Sequence, residues 1–354
     1  MSVSVFDHPF LSGLLGDEEV GAFFSAEAEL KALLDFEAAL AAAEAEKGVI
    51  PEAAGKAVVE AIAGFAPDIA TLREATARDG VVVPELVRQL RAAVGEPNAR
   101  HVHFGATSQD VIDTGFALRI GKVLDILQDR IDTLVERLGE LDMRHGATPT
   151  MAHTRMQAAI QVPAARKILS WREPLLRHRA RLSTVRKEIA VLTFGGAAGT
   201  LDKLDAAGEQ VTARMAQHLN LGLVPRARQS ERDGQVELAD WLSLVTGSLG
   251  KMGADIALAA QSEVGEIRLK SGGGSSSMPH KVNPVGAEVL VTLARFNATL
   301  VSGMHQALVH ENERSGAAWT LEWMLLPQMA VAAGAALRTA IELAGNIEFA
   351  AKDD

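Results

Sequence analysis

Cysteine is absent from the 354 residues, which removes disulfides, thiolate nucleophiles and cysteine-based zinc sites together. A surplus of basic residues is also missing. Lys and Arg number 35 against 45 Asp and Glu, a net charge of −10, whereas a general nucleic-acid binder needs cations to neutralise phosphate. An anionic small molecule is not excluded, because the local field of a site can oppose the global charge. The first ten residues include Asp7 and lack a basic segment followed by an apolar run, so no secretory leader is read there. The most apolar late stretch, 324–337, is broken by Pro327 and Gln328 and then meets Arg338. It reads as a buried helix, too short to span a bilayer. These absences predict a soluble, cytoplasmic protein with neither nucleic-acid nor membrane partner.

What is present is enough to bury a large core: 48% of the chain is hydrophobic and 23% is charged, the balance of a globular protein. Runs of β-branched residues bounded by turn residues are scarce, and alanine and leucine dominate. Ile120, Leu124, Leu127, Ile131, Leu134, Leu138 and Leu141 follow alternating steps of four and three, as do Leu238, Leu242, Val245, Leu249, Met252 and Ile256. Such spacing keeps one apolar seam along a helix and marks long helices packed as a bundle. Residues 26–47 read as a shorter helix stopped by Gly48 and Pro51, while Pro67 and Pro84 stand where further helices can begin. The expectation is an all-α protein: an N-terminal helical domain over 1–100, a long-helix bundle over 101–345, and a tail over 346–354.

The tract Gly272 to Ser277 would pass for a flexible linker by itself. It runs directly into Met278-Pro279-His280-Lys281-Val282-Asn283-Pro284. Glycine lets such a segment fold over a ligand, a lysine and an amide can hold a carboxylate, and serine hydroxyls are available for proton transfer. No Walker, dinucleotide or HExxH fingerprint accompanies it, so neither metal nor cofactor is expected. The stretch 274–284 resembles the signature loop of the fumarase/aspartase superfamily, GSSxMPxKxNP, at every fixed position. The resemblance implies that this loop closes over substrate, that Ser275 transfers a proton, and that Lys281 and Asn283 bind a carboxylate.

Two further stretches agree. His103-Phe104-Gly105-Ala106-Thr107-Ser108-Gln109-Asp110 is similar to the family's HxGxTSxD, implying His103 as second proton-transfer candidate and Thr107 and Ser108 as carboxylate-binding hydroxyls. Without the family, Thr107-Ser108 reads as a helix N-cap and His103 as a partly buried histidine. The two roles are compatible, because a helix N-terminus favours an anion. The second family motif maps onto Met151 to Gln157. Family lyases that release an amine carry Thr-His there; here Thr154 is followed by Arg155, and His153, read on a helix, points elsewhere. The histidine of their Arg-His-Asp stretch is missing too, since Arg78-Asp79-Gly80 stands in its place.

Thr154, Arg155, Met156 and Gln157 resemble instead the lactone-forming branch, the carboxymuconate cycloisomerases, as does the stretch 313–323 with Arg314, Trp319 and Trp323. That branch implies a small polycarboxylate substrate bound by Thr154, Arg155, Gln157 and Arg314 besides the residues above. It also implies a homotetramer with active sites shared between chains. Arg155 reads otherwise as an ion-pairing surface residue, and the tryptophans as core or interface anchors. Family members usually add a small C-terminal helical domain, whereas this sequence stops at Asp354. The alternatives are a cycloisomerase for a muconate with another anionic substituent such as a sulfonate, an adenylosuccinate-type lyase, and a crystallin-like structural protein.

Overall fold

Local capping sets where the first helices begin. In the computed structural model, which describes residues 4–274, 277–278 and 281–350, α1 (Ser12–Leu15) and α2 (Glu18–Gly21) lead to α3 (Ala26–Glu46), whose N-cap Ser25 accepts from the Ala28 N–H. Next come α4 (Glu52–Ala63), α5 (Ile69–Asp79), capped by Asp68, and α6 (Val83–Val94), with Pro84 in its first turn. The chain then enters α7 (Ser108–His145), a single helix of 38 residues. A hairpin of β1 (Pro149–Thr154) and β2 (Gln157–Pro163) separates it from α8 (Ala165–Ile189). Then follow α9 (Gly208–Leu219), α10 (Asp233–Ala259), β3 (Ile267–Leu269), α11 (Val285–Ala307), α12 (Ala317–Asn346) and β4 (Ile347–Phe349).

Both seams are buried as their spacing requires: no residue of either exceeds 1% exposure. They join side chains of α8, α11 and α12 in one apolar core, each buried aliphatic contributing about 1.5–3 kcal/mol relative to exposure. A second apolar cluster gathers α3, α4 and α6 around Val111 and Ile112 of α7, with Leu192, Phe194, Met215 and Trp319 from later segments.

The all-α class holds, and two further expectations need correction. The fold is a helical bundle, yet it carries two small antiparallel sheets, β1–β2 and β3–β4. The segment expected as a tail holds the last residue of α12 and then β4, with Ile347 and Phe349 buried against the bundle and Ile347 paired with Leu269. The apolar stretch 324–337 lies in a helix of 30 residues, long and apolar enough to cross a membrane by length and composition alone, as is α11. Most of that stretch of α12 is buried inside the protein, packed on α7, α10 and α11, which accounts for its composition without a bilayer.

Candidate active site

One group of site residues surrounds the N-terminus of α7. Thr107 is its N-cap, and the Thr107 N–H donates to the Asp110 carboxylate at 3.1 Å, part of a capping box. The Ser108 hydroxyl has no hydrogen-bond partner among the described residues, so the first turn offers both a hydroxyl and a helix N-terminus to an anion. Asp110 is fully buried and also accepts from the N–H groups of Gly195 and Gly196 at 3.0 and 2.9 Å and from Gln229 Nε2 at 2.9 Å. Burial pushes its carboxyl up to about 7 despite those hydrogen bonds. Asp110 thereby staples the 193–200 turn to the start of α7. Gly196 has φ 69°, and a Cβ there would sit 2.8 Å from the Gly105 carbonyl oxygen.

Arg314 reaches the same place from the segment before α12. Its Nε donates to Gln109 Oε1 at 2.9 Å and its Nη2 to the Ala197 carbonyl at 3.1 Å. His103 lies four residues before the N-cap in left-handed backbone, φ 61°, which costs a residue with a Cβ roughly 1–2 kcal/mol. Its Nδ1 is 2.6 Å from Glu37 Oε1 on α3. Burial favours the neutral ring, but the charge and hydrogen bond of Glu37 more than offset it, and the pKa is raised.

A second group sits where α7 ends. Thr154 closes β1, Gln157 opens β2 opposite it, and Arg155 and Met156 form the two-residue turn at φ 48° and 65°. Turns with both central residues left-handed match the twist of a hairpin, though Arg-Met lacks the usual Asn or Gly. The expectation that His153 and Arg155 share a helix is therefore wrong: the segment pairs as strands from Pro149↔Pro163 to Thr154↔Gln157. Thr154, Arg155 and Gln157 are exposed, and Arg155 has no ion pair or hydrogen bond among the described residues.

The signature loop leaves the bundle at the same end. Glu266, just before β3, accepts from the Met151 N–H at 2.5 Å and from Lys167 at 2.7 Å. The loop is pinched at its base, where Gly273 and Asn283 exchange backbone hydrogen bonds of 2.9 and 2.8 Å. Glycine is required here, since a Cβ on Gly272 would stand 2.7 Å from the Asn283 carbonyl oxygen. Asn283 Nδ2 donates to the Gly274 carbonyl at 3.3 Å. Lys281 is exposed, with no carboxylate partner among the described residues. Ser275 lies outside the described residues.

The two groups do not meet within one chain. Thr107 and the hairpin are separated by the 38 residues of α7, about 57 Å at 1.5 Å per residue. His103, Thr107, Ser108 and Arg314 are thus at one end, and Thr154, Arg155, Gln157, Lys281 and Asn283 at the other. A small polycarboxylate cannot span that length.

The profile of a lyase family matches residues 17–299. The 3-carboxy-cis,cis-muconate cycloisomerase of Pseudomonas aeruginosa is 40% identical over 94% of this chain and 73% of its own. The chain belongs to the fumarase/aspartase superfamily. The 3-carboxy-cis,cis-muconate cycloisomerase of Bradyrhizobium diazoefficiens is 37% identical over 96% of this chain and 77% of its own. The solved 3-carboxy-cis,cis-muconate lactonizing enzyme of Pseudomonas putida superposes with a TM-score of 0.90 at 37% identity, covering 96% of this chain and 77% of that one. The chain thus spans about three quarters of these superfamily relatives.

Sequence reading missed Glu37, the 193–200 turn and Gln229, all held in direct contact with the first motif. The turn had a signal in Gly195-Gly196-Ala197-Ala198-Gly199; Glu37 had one in its place between Leu33, Phe36 and Leu40 on the buried face of α3. Trp319 is a core anchor, donating from Nε1 to Asp113 at 2.9 Å and meeting Trp323 edge-on with ring centres 4.7 Å apart. A cavity of about 750 Å³ between α3, α5, α7 and α12 is lined largely by apolar side chains, Trp323 among them, and by none of the sequence-predicted site residues.

Proposed function

We propose that the protein is a cycloisomerase that closes 3-carboxy-cis,cis-muconate to a carboxymuconolactone, a step in the degradation of aromatic compounds. The observation that carries this reading is Arg155, an exposed cation with no partner among the described residues, at the position where amine-releasing lyases place an acid histidine. An amine needs a proton as it departs, which histidine supplies near neutral pH. Arginine keeps its proton and cannot serve that way. A carboxylate that attacks as an anion needs no such proton, and a planar guanidinium orients it through two hydrogen bonds. The 40% identity to the Pseudomonas aeruginosa cycloisomerase supports the same branch.

In the proposed reaction a carboxylate oxygen bonds to one carbon of a double bond, and the π pair moves to the neighbouring carbon. The charge spreads into the carboxylate attached there, where Lys281, Asn283 and loop amides stabilise it, and that carbon then takes a proton. Donors fixed where charge develops supply much of such catalysis. Ser275 delivers the proton, with His103 as the second candidate. Thr107, Ser108, Thr154, Gln157 and Arg314 hold the remaining carboxylates. Loss of the conjugated-diene absorbance on mixing with 3-carboxy-cis,cis-muconate tests the reading. A sulfonated muconate turned over faster in the same panel would move the substrate, and an inert response to every muconate would sink the activity.

A homotetramer in the cytoplasm belongs to the same proposal. The separation of the two residue groups by the length of α7 supports it, because a complete site then needs residues from more than one chain. Leu244 and Leu258, fourteen residues apart on one face of α10, are 51% and 44% exposed, as suits a seam covered by another copy. Arg155→Leu and Ser108→Ala should each be nearly inactive alone. Mixing the two, with dissociation and reassembly, is expected to restore part of the activity by building wild-type sites from complementary chains. Full activity in a sedimenting monomer would rule the sharing out.

A further inference from the structure

We propose that Glu37 is the positioning residue of His103, fixing the tautomer and direction of the ring so that Nε2 is the atom turned to substrate, as a hydrogen-bond donor to it and as the second candidate for the proton. The inference rests on the assignment of His103 to the proposed site. A carboxylate can only accept, so at 2.6 Å the Nδ1 must carry the hydrogen that reaches Glu37 Oε1. That leaves Nε2 as the free ring nitrogen, and it has no hydrogen bond among the described residues. The ring keeps 14% exposure while the Glu37 side chain keeps 1%, so the acid is sealed behind the histidine and away from solvent. The same order of carboxylate, imidazole and reacting group orients the histidine of serine-protease triads.

The surroundings look assembled for that purpose and poor for mere stability. Glu37 Oε2 is buried with no partner among the described residues, as are both carboxyl oxygens of Glu44 two turns further along α3. Burial, and then the charge of Glu37, push Glu44 up to about 9. Glu44 is thereby driven toward its neutral form, so the carboxyl that faces the imidazole at 2.6 Å is that of Glu37. Asp110 on α7 adds to that field and Arg91 on α6 opposes it. A structural pair alone has no need of a left-handed residue at His103 or of an unpartnered Oε2, whereas sites that hold a group in one orientation commonly store such strain.

The test uses the full-length protein in three forms: wild type, Glu37→Gln, which keeps the shape and removes the charge, and Glu37→Asp, which keeps the charge. Hydrogen–deuterium exchange at the imidazole Cε1, read by mass spectrometry on the peptide bearing His103, reports its titration midpoint independently of activity. In Glu37→Gln that midpoint is expected to fall by about 1–3 pH units. kcat should fall by about 10–100-fold, the usual effect of losing an orienting partner, with KM little changed. The alkaline limb of kcat should move to lower pH, since a proton donor is lost above its pKa. Glu37→Asp should recover part of both. An unchanged midpoint in Glu37→Gln overturns the positioning role. A lowered midpoint together with full activity in His103→Gln overturns instead the placement of His103 in the site. Melting curves of the variants separate either result from unfolding.

Discussion

Arg232→Met is expected to destabilise the protein by about 3–5 kcal/mol, the usual cost of removing one partner from a buried ion network. Arg232 is 3% exposed and binds Asp113 Oδ2 at 2.7 Å and Glu322 Oε2 at 2.5 Å. Its Nε adds a bond of 2.9 Å to Glu322 Oε1. Asp113 accepts further from Trp319 Nε1 and, at 3.2 Å, from Gln109 Nε2; Glu322 also pairs with His310 Nε2 at 3.2 Å. One guanidinium thus ties the start of α10 to α7 and α12. Without it two nearly buried carboxylates are stranded at the wall of the cavity of about 750 Å³, and each must protonate or recruit water. Since whole domains are stable by only about 5–15 kcal/mol, the change removes a large fraction. The urea midpoint, at fixed protein concentration because assembly contributes, is the measurement. Arg232→Lys should recover little, because an ammonium cannot present two edges to two acids. A midpoint within experimental error of wild type would mean that the network is replaceable by packing alone.

That network also shows where sequence reading stops. Asp113, Arg232 and Glu322 are about a hundred residues apart, and no local pattern links them. The seams of α7 and α10 were legible because burial along a helix must repeat every three or four residues. The hairpin was not. Pro149 to Pro163 is rich in Ala, Met and Gln, which favour helices, and its turn is Arg-Met instead of the Asn-Gly that normally announces two left-handed residues. The motifs were legible as strings, since the spacing of Lys281 and Asn283 carries the family signature directly. Their placement at opposite ends of α7 was not legible as an active site until the helix had its full length. Glu37 was hidden for another reason. Glutamate on an Ala/Leu-rich helix usually faces solvent, and only its step from Leu33 and to Leu40 and Glu44 marks the buried face.

Ser275→Ala should leave folding and assembly intact and lower turnover by roughly 10²–10⁴-fold, the range typical of a positioned acid or base. Closing the lactone puts a pair of electrons on a carbon that must acquire a proton, and the step is slow unless the donor is already in place. A serine is a weak acid in water, so its fitness depends on the loop: Lys281, exposed and without a carboxylate partner among the described residues, can lower the cost of its oxyanion. The pinch between Gly273 and Asn283 fixes where the loop begins and ends. Lys281→Ala should therefore differ in kind from Ser275→Ala. In its proposed role Lys281 binds a substrate carboxylate in the ground state as well as in the transition state, so KM should rise along with the fall in kcat. Rapid mixing of 3-carboxy-cis,cis-muconate with each variant, followed by diene absorbance across substrate concentrations, separates the two effects. If Ser275→Ala keeps near-full kcat, the proton comes from elsewhere. His103 is then the first group to test, by adding His103→Gln to the Ser275→Ala chain: a further drop in kcat assigns the transfer to the imidazole, and an unchanged kcat removes both groups from the chemistry.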